Sequence, residues 1–397
     1  MTQKPIGRLT YGRPAIPYER YMEEQAIPIH WGLIGVRDVR ELALGSWKRM
    51  GGNGAFLPLE GTGNVSHVYV VEIPPRGTLN PEKHMYEEMF LVIEGRGSTE
   101  VWSDDSGKNQ LSFEWQAGSV FSIPLNSWHR LVNGSSSPAL ILVAGNAPPI
   151  MYLLDNQEAI FNNASHFADR WAASDYSQKE LETDPVNLRT IYTGAIVPDA
   201  IEAEVPYDGQ RGVGHCKFAM RMCGNKFGAS VAEYPSGCYS KCHAHEAGPL
   251  IACLTGKGYS ITWPDSAGIR PWENGRGDEV KVQEYVPGGI VSAAPGGARW
   301  YHGHFGLAKD KFRVLQIGGG GAGPNGYPNR VFGKPGDEFK SMNLDLKKGG
   351  NTIEYCDEDP VIRQMFKEAL EREGGTFSMP DELYISADQM STGLYKE

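Results

Sequence analysis

No stretch of this 397-residue chain stays apolar for the roughly 20 residues that a bilayer span requires. The first twenty residues carry charges and prolines where a signal peptide would have an apolar core. A membrane location is therefore not expected, and the sequence reads as cytoplasmic. A basic tract is also missing: 38 Lys and Arg stand against 48 Asp and Glu, a formal charge of -10, which repels phosphate backbones and excludes nucleic acid as a partner. A small-molecule substrate fits that balance better. No Cys-x-x-Cys pair occurs among Cys216, Cys223, Cys238, Cys242, Cys253 and Cys356, so reduced core thiols are expected in place of a disulfide framework. The glycine-rich run from Ile317 lacks the Lys-Ser/Thr of a phosphate-binding loop and reads as a connecting loop. Helical periodicity is scarce as well. Gly and Pro are frequent instead, at 49 and 26 residues, and they punctuate runs rich in Val, Thr and Tyr, which predicts short strands joined by turns.

The chain repeats itself. The segment from His84 to Trp102 is matched by one from His245 to Trp263, with His84, Gly95, Gly97 and Trp102 falling on His245, Gly256, Gly258 and Trp263 at one constant offset. A second block follows each: one opens at Gly118 and reaches Pro124, the other opens at Gly289 and reaches Pro295. The expected organisation is an N-terminal arm over 1–60, a β unit over 61–150, a linker with short helices over 151–225, a second β unit over 226–320, and a C-terminal extension over 321–397. The extension holds the clearest helix, 359–373, with Asp359 as N-cap, Pro360 in the first turn, and Val361, Met365, Phe366 and Leu370 as its apolar stripe.

The two blocks resemble those of the cupin superfamily, small jelly-roll barrels. The first half matches at His84, Glu88, Gly95, Gly118, Pro124, His129 and Asn133, with Glu82 where the first motif histidine belongs. The second half matches at His243, His245, Gly256, Gly289, Pro295 and Gly297. The resemblance implies an all-β chain of two cupin barrels in tandem, a bicupin.

Departures from the motif bear on function. Pro249 stands where Glu88 stands in the first copy, so the second copy offers three histidines: His243, His245 and either His302 or His304, with His302 preferred on spacing. Histidines two apart on a strand face the same side, and a third from a facing strand closes a triangle on one ion. Fe(II) is the expected metal, with Mn(II), Zn(II) or Ni(II) as alternatives. The first copy offers Glu82, His84, Glu88 and His129, a harder set that holds a metal or is a decayed site. Glu87 is expected to face outward, and His30, His67, His166 and His215 read as ordinary structural histidines.

The second motif further resembles that of gentisate-type three-histidine dioxygenases. This implies oxidative cleavage of a C–C bond in a small anionic, hydroxylated aromatic substrate with O2, with His304 catalytic and Arg299, Trp300, Tyr301 and Tyr239 lining the substrate pocket. The alternatives are a Mn- or Fe-dependent decarboxylase, lyase or isomerase of the bicupin type, or a non-catalytic small-molecule-binding bicupin. A homodimer or higher homo-oligomer is expected, with the arm and the C-terminal helix as the crossing segments.

Overall fold

Strands buried on both faces read as unbroken apolar runs, and Ala139–Gly145 and Leu250–Thr255 do so here. The structure is a computed structural model that describes residues 16–62, 65–103, 110–177, 180–183, 190–209, 211–246, 248–296, 299–318 and 345–385. The glycine-rich run beyond Gly318 and Gly297 of the second motif lie outside these residues.

Each copy of the repeat forms two facing sheets, antiparallel but for the parallel pairing of Thr190–Tyr192 with Cys216–Met220 at the margin of the second copy's large sheet. At the centre of the first copy's seven-stranded sheet, Ala139–Gly145 lies between Glu88–Glu94 and His67–Ile73; Arg96–Trp102 lies between Gln110–Gln116 and Trp128–Asn133 in the smaller sheet. The second copy repeats this order. Lys311–Ile317 lies between Leu250–Thr255 and Ala229–Pro235, and Gly258–Pro264 between Lys281–Tyr285 and Trp300–Gly306, with His243–His245 added at the edge. The hairpins turn at Gly95 and Gly256, whose φ values of 93° and 80° favour glycine. A Cβ at Gly95 would also stand 2.5 Å from that of Ala139.

Alternation along the large sheets divides the cores. Tyr69, Val71, Phe90, Val92, Ile141 and Val143 point into the first barrel, and Ala232, Tyr234, Ile251, Cys253, Phe312 and Val314 into the second. The intervening residues, among them Val70, Leu91, Leu142, Val231, Leu250 and Leu315, form one continuous apolar layer where the two large sheets pack face to face. Glu87 is buried in this region and does not face solvent: its carboxylate accepts the backbone N–H groups of Lys226 and Phe227 at 2.8 and 2.6 Å, just ahead of the second barrel's first long strand.

The flanking segments pack on the barrels. Gly45–Trp47 and Gly52–Phe56 extend the first barrel's large sheet. Helix Pro17–Glu24 packs Tyr18, Tyr21 and Met22 into the same core. Gly35–Val36, from the N-terminal arm, pairs with Ile290–Ser292 of the second barrel, whereas Ile196–Val197, from the linker, pairs with Val120–Ser122 of the first. Each barrel thus receives an edge strand from a segment next to the other.

The C-terminal helix spans Pro360–Arg372, capped by Asp359, whose side chain accepts the Val361 N–H at 3.1 Å. Its buried stripe is Ile362, Phe366, Ala369 and Leu370, so the expected stripe holds at Phe366 and Leu370 while Val361 and Met365 lie at its margin. The helix covers the outer face of the second barrel's smaller sheet through Tyr239, Tyr259, Ile261 and Phe305. Glu358 is buried beneath it, accepting the Tyr239 hydroxyl, which lies 3.0 Å from that of Tyr384. Within the described residues, arm and helix both pack against the barrels. No described helix is long and apolar enough to cross a membrane.

Candidate metal centre

The same register builds both sites. Glu82 bridges His129 in the first barrel, and His243 pairs with His302 in the second, so each aligned position returns to the same corner of its barrel. In the second barrel His243, His245 and His302 each offer a ring nitrogen, and these atoms lie within 4.8 Å of one another. The His243 Nδ1–H donates to the Lys241 carbonyl at 3.1 Å, which turns Nε2 inward as an acceptor. Burial, then the positive charge of Arg211, pushes the His243 imidazole far below its ordinary value; His245 falls to about 3 for the same two reasons, with Lys217 adding to the effect. His302 is depressed by burial and by the neighbouring His245. Neutral imidazoles with lone pairs pointing at one spot are the donor set a divalent ion requires.

His304 is next on the same strand, its ring 5.1 Å from that of His302 but outside the converging set. Its Nδ1 stands 3.4 Å from the Tyr285 hydroxyl, and its Nε2 is buried without a hydrogen-bond partner.

The first barrel brings Glu82, His84 and His129 together within the same 4.8 Å limit. Glu88 joins them, its Oε2 at 3.1 Å from His84 Nε2. His84 Nδ1–H and His129 Nδ1–H donate to the carbonyls of Tyr86 and Ser127 at 2.8 and 3.2 Å, the same device as at His243. His129 Nε2 is buried with no hydrogen-bond partner, and His84 Nε2 and Glu88 Oε2 are buried with none besides their contact with each other. Atoms left in this way cost free energy unless something binds them, so the residues fit a metal ion. Arg49 holds the other oxygen of Glu82 at 2.7 Å. Burial alone would raise the Glu88 carboxyl, but His84 and His67 hold it well below the ordinary carboxylate range.

His67, read from sequence as merely structural, fixes Glu88. Its Nδ1 accepts the Ala147 N–H at 3.1 Å, so its proton is on Nε2, which donates to Glu88 Oε1 at 2.9 Å. The tyrosines of helix Pro17–Glu24 close this chamber with Trp47, Phe56 and Tyr69, leaving a cavity of about 10 Å³, room for a single water.

The second barrel is charged differently. Alternation on Cys216–Met220 turns Phe218 and Met220 toward the inter-barrel layer and therefore Lys217 into the lumen, where its Nζ donates to Gln316 at 2.6 Å. Arg211 reaches the same region, donating to Thr352 Oγ1 at 2.6 Å; Thr352 in turn bridges to His243. Sequence reading missed both cations because neither belongs to a motif.

Three expected substrate residues stand elsewhere. Tyr301 lies between His302 and Trp300 on one strand and so faces the other side of the sheet, packed on Trp263. Tyr239 is in that outer cluster also, against Phe305 and Phe366. Arg299 is partly exposed, 4.0 Å from Asp265. Trp300 alone shares the inward face, half-buried and paired with His245. Cys238 and Cys242 join the outer cluster as free thiols, away from the histidines.

Residues 69–145, which include the first barrel's four site residues, match the cupin domain family. The first barrel is thus a cupin domain, and the second copy repeats its strand order. No curated protein sequence matches it. Among solved structures, an oxalate decarboxylase mutant of Bacillus subtilis is 11% identical at a TM-score of 0.44, covering 73% of this chain and 78% of that one. Vicilin from Solanum lycopersicum is 11% identical at 0.43, covering 72% and 85%. At these values neither likeness carries activity or ligand to this chain.

Proposed function

We propose that this bicupin is a metal-dependent enzyme that cleaves a C–C bond in a small, anionic, oxygenated substrate, with its reaction centre at His243, His245 and His302. One observation carries the reading: three neutral imidazoles converge in a lumen whose inward cations are Arg211 and Lys217. Fe(II) bound there would supply open positions for a chelating substrate and the redox change that lets O2 react. With no carboxylate among the three ligands, the centre keeps its full positive charge and favours an anion. Arg211 and Lys217 would orient that anion, Trp300 would wall the entrance, and His304 would hold or move a proton through Nε2. The first barrel, closed by tyrosines, would hold its metal structurally.

A second reading, redox-neutral decarboxylation or lysis, is supported by the proton carriers His304, Tyr285 and Tyr234 in the same lumen. The test is turnover of gentisate, salicylate, catechols, diketones and small hydroxy acids by the metal-loaded protein, with O2 uptake and CO2 release both measured. O2 consumed in step with substrate is expected. Product formed equally well under argon selects the second reading, and substrates that bind without turnover would leave a non-catalytic binding protein.

A further inference from the structure

Asp208 and His215 form a dyad at the wall of the second barrel that none of the motifs contains. His215 is fully buried, and its Nδ1 lies 3.1 Å from Asp208 Oδ1. A carboxylate at Nδ1 keeps the ring proton there and leaves Nε2 as an acceptor. That Nε2 is buried and has no hydrogen-bond partner. His215 immediately precedes the strand Cys216–Met220, which carries Lys217. Its ring is 5.1 Å from that of Tyr234, an inward residue, which lies 6.4 Å from His304, next to His302. The loop is fixed by its backbone: Asp208 and Gly209 both donate N–H to the His215 carbonyl, at 3.0 and 2.9 Å.

We infer that this dyad is a recognition element for a substrate hydroxyl, and that the site accordingly takes hydroxy acids in preference to the same acids without the hydroxyl. The inference rests on the proposed function and deepens it. Lys217 and Arg211 present donors to a carboxylate, whereas His215 Nε2, held by Asp208, presents an acceptor that only a donor satisfies. A ligand with both groups meets both demands; one lacking the hydroxyl leaves a buried acceptor unpaired, an unfavourable exchange.

The experiment is calorimetric titration of the full-length, metal-loaded protein with two pairs differing only in the hydroxyl, malate against succinate and salicylate against benzoate. Metal content and melting temperature are measured in parallel. In the unaltered protein the hydroxylated member of at least one pair is expected to bind about tenfold more tightly, the size of one hydrogen bond to a buried group. His215→Phe should abolish that ratio while metal content and fold persist. Asp208→Asn, whose amide can donate to Nδ1 and drive the proton to Nε2, should reduce or reverse it. Binding of all four acids with no hydroxyl preference, or a preference unchanged in both variants, overturns the dyad's role and leaves the proposed function standing. Failure of all four to bind removes the proposed function and this inference with it.

Discussion

Glu358 makes the fold sensitive to pH in a calculable way. Burial raises its carboxyl from 4.5 to about 8, with the Tyr239 hydroxyl and Arg363 opposing the rise and Asp359 adding to it. Folded protein therefore carries this carboxyl protonated at neutral pH, while the unfolded chain releases the proton near 4.5. Stability from this group is present in full below the unfolded value and is lost as pH rises through about 8. Each unit of the window costs about 1.4 kcal/mol, so between pH 5 and pH 8 the unaltered protein should lose roughly 3 to 4 kcal/mol through Glu358 alone. Glu358→Gln keeps an acceptor for Tyr239 and cannot ionise. Urea unfolding of both proteins at pH 5, 6.5 and 8 isolates the effect, because every other titrating group is shared. The variant should gain on its parent as pH rises, by most of that figure at pH 8. Parallel stability curves across the window would refute the account and place Glu358 in contact with water or a cation.

Further perturbations probe the sites. His302→Ala should empty the second barrel of metal while His304→Ala leaves it loaded, as metal analysis of the purified variants will show; loss only in the His304 variant would move the third ligand. His67→Phe removes the donor that holds Glu88, and chelator competition should show first-barrel affinity falling about 10- to 100-fold with the second barrel unchanged. Pro249→Glu returns a carboxylate to the position matching Glu88. Pro249 precedes Leu250, which pairs with Ser292 as Met89 pairs with Ser122, so the new side chain points inward. Metal should be held as tightly or more so while turnover drops; unchanged affinity and activity would show that position 249 does not meet the metal. Phe366→Ala opens the fully buried seat of the C-terminal helix and should cost about 3 to 5 kcal/mol by urea titration.

Much of this was legible because a repeat prints the same constraints twice. Gly95 and Gly256 mark identical hairpins, and histidines at 243 and 245 share a face by strand geometry alone, with His302 opposite through register. The choice of Tyr239, Tyr301 and Arg299 as substrate residues failed where nearness in sequence stood in for direction: Tyr301 and Arg299 alternate with His302 and turn away. Arg211, Lys217, His215 and His67 were beyond reach for another reason. They come from the linker and from strand positions outside either motif, and only the path of the chain brings them to the histidines. Chain path likewise decides Glu87, whose partners at Lys226 and Phe227 are about 140 residues away.

The exchange of edge strands has a consequence for how the duplication can be handled. Because Gly35–Val36 completes the second barrel and Ile196–Val197 the first, a cut anywhere in the linker would open the second half's sheet edge at Ile290–Ser292, and a cut ahead of Ile196 would open the first half's edge at Val120–Ser122 as well. Exposed edges of that kind invite association with other chains. The apolar layer between the large sheets would be bared at the same stroke. The two barrels are thus expected to melt in one transition, and neither should be recoverable as an autonomous module; expressed separately, the halves should aggregate unless they meet and reassemble.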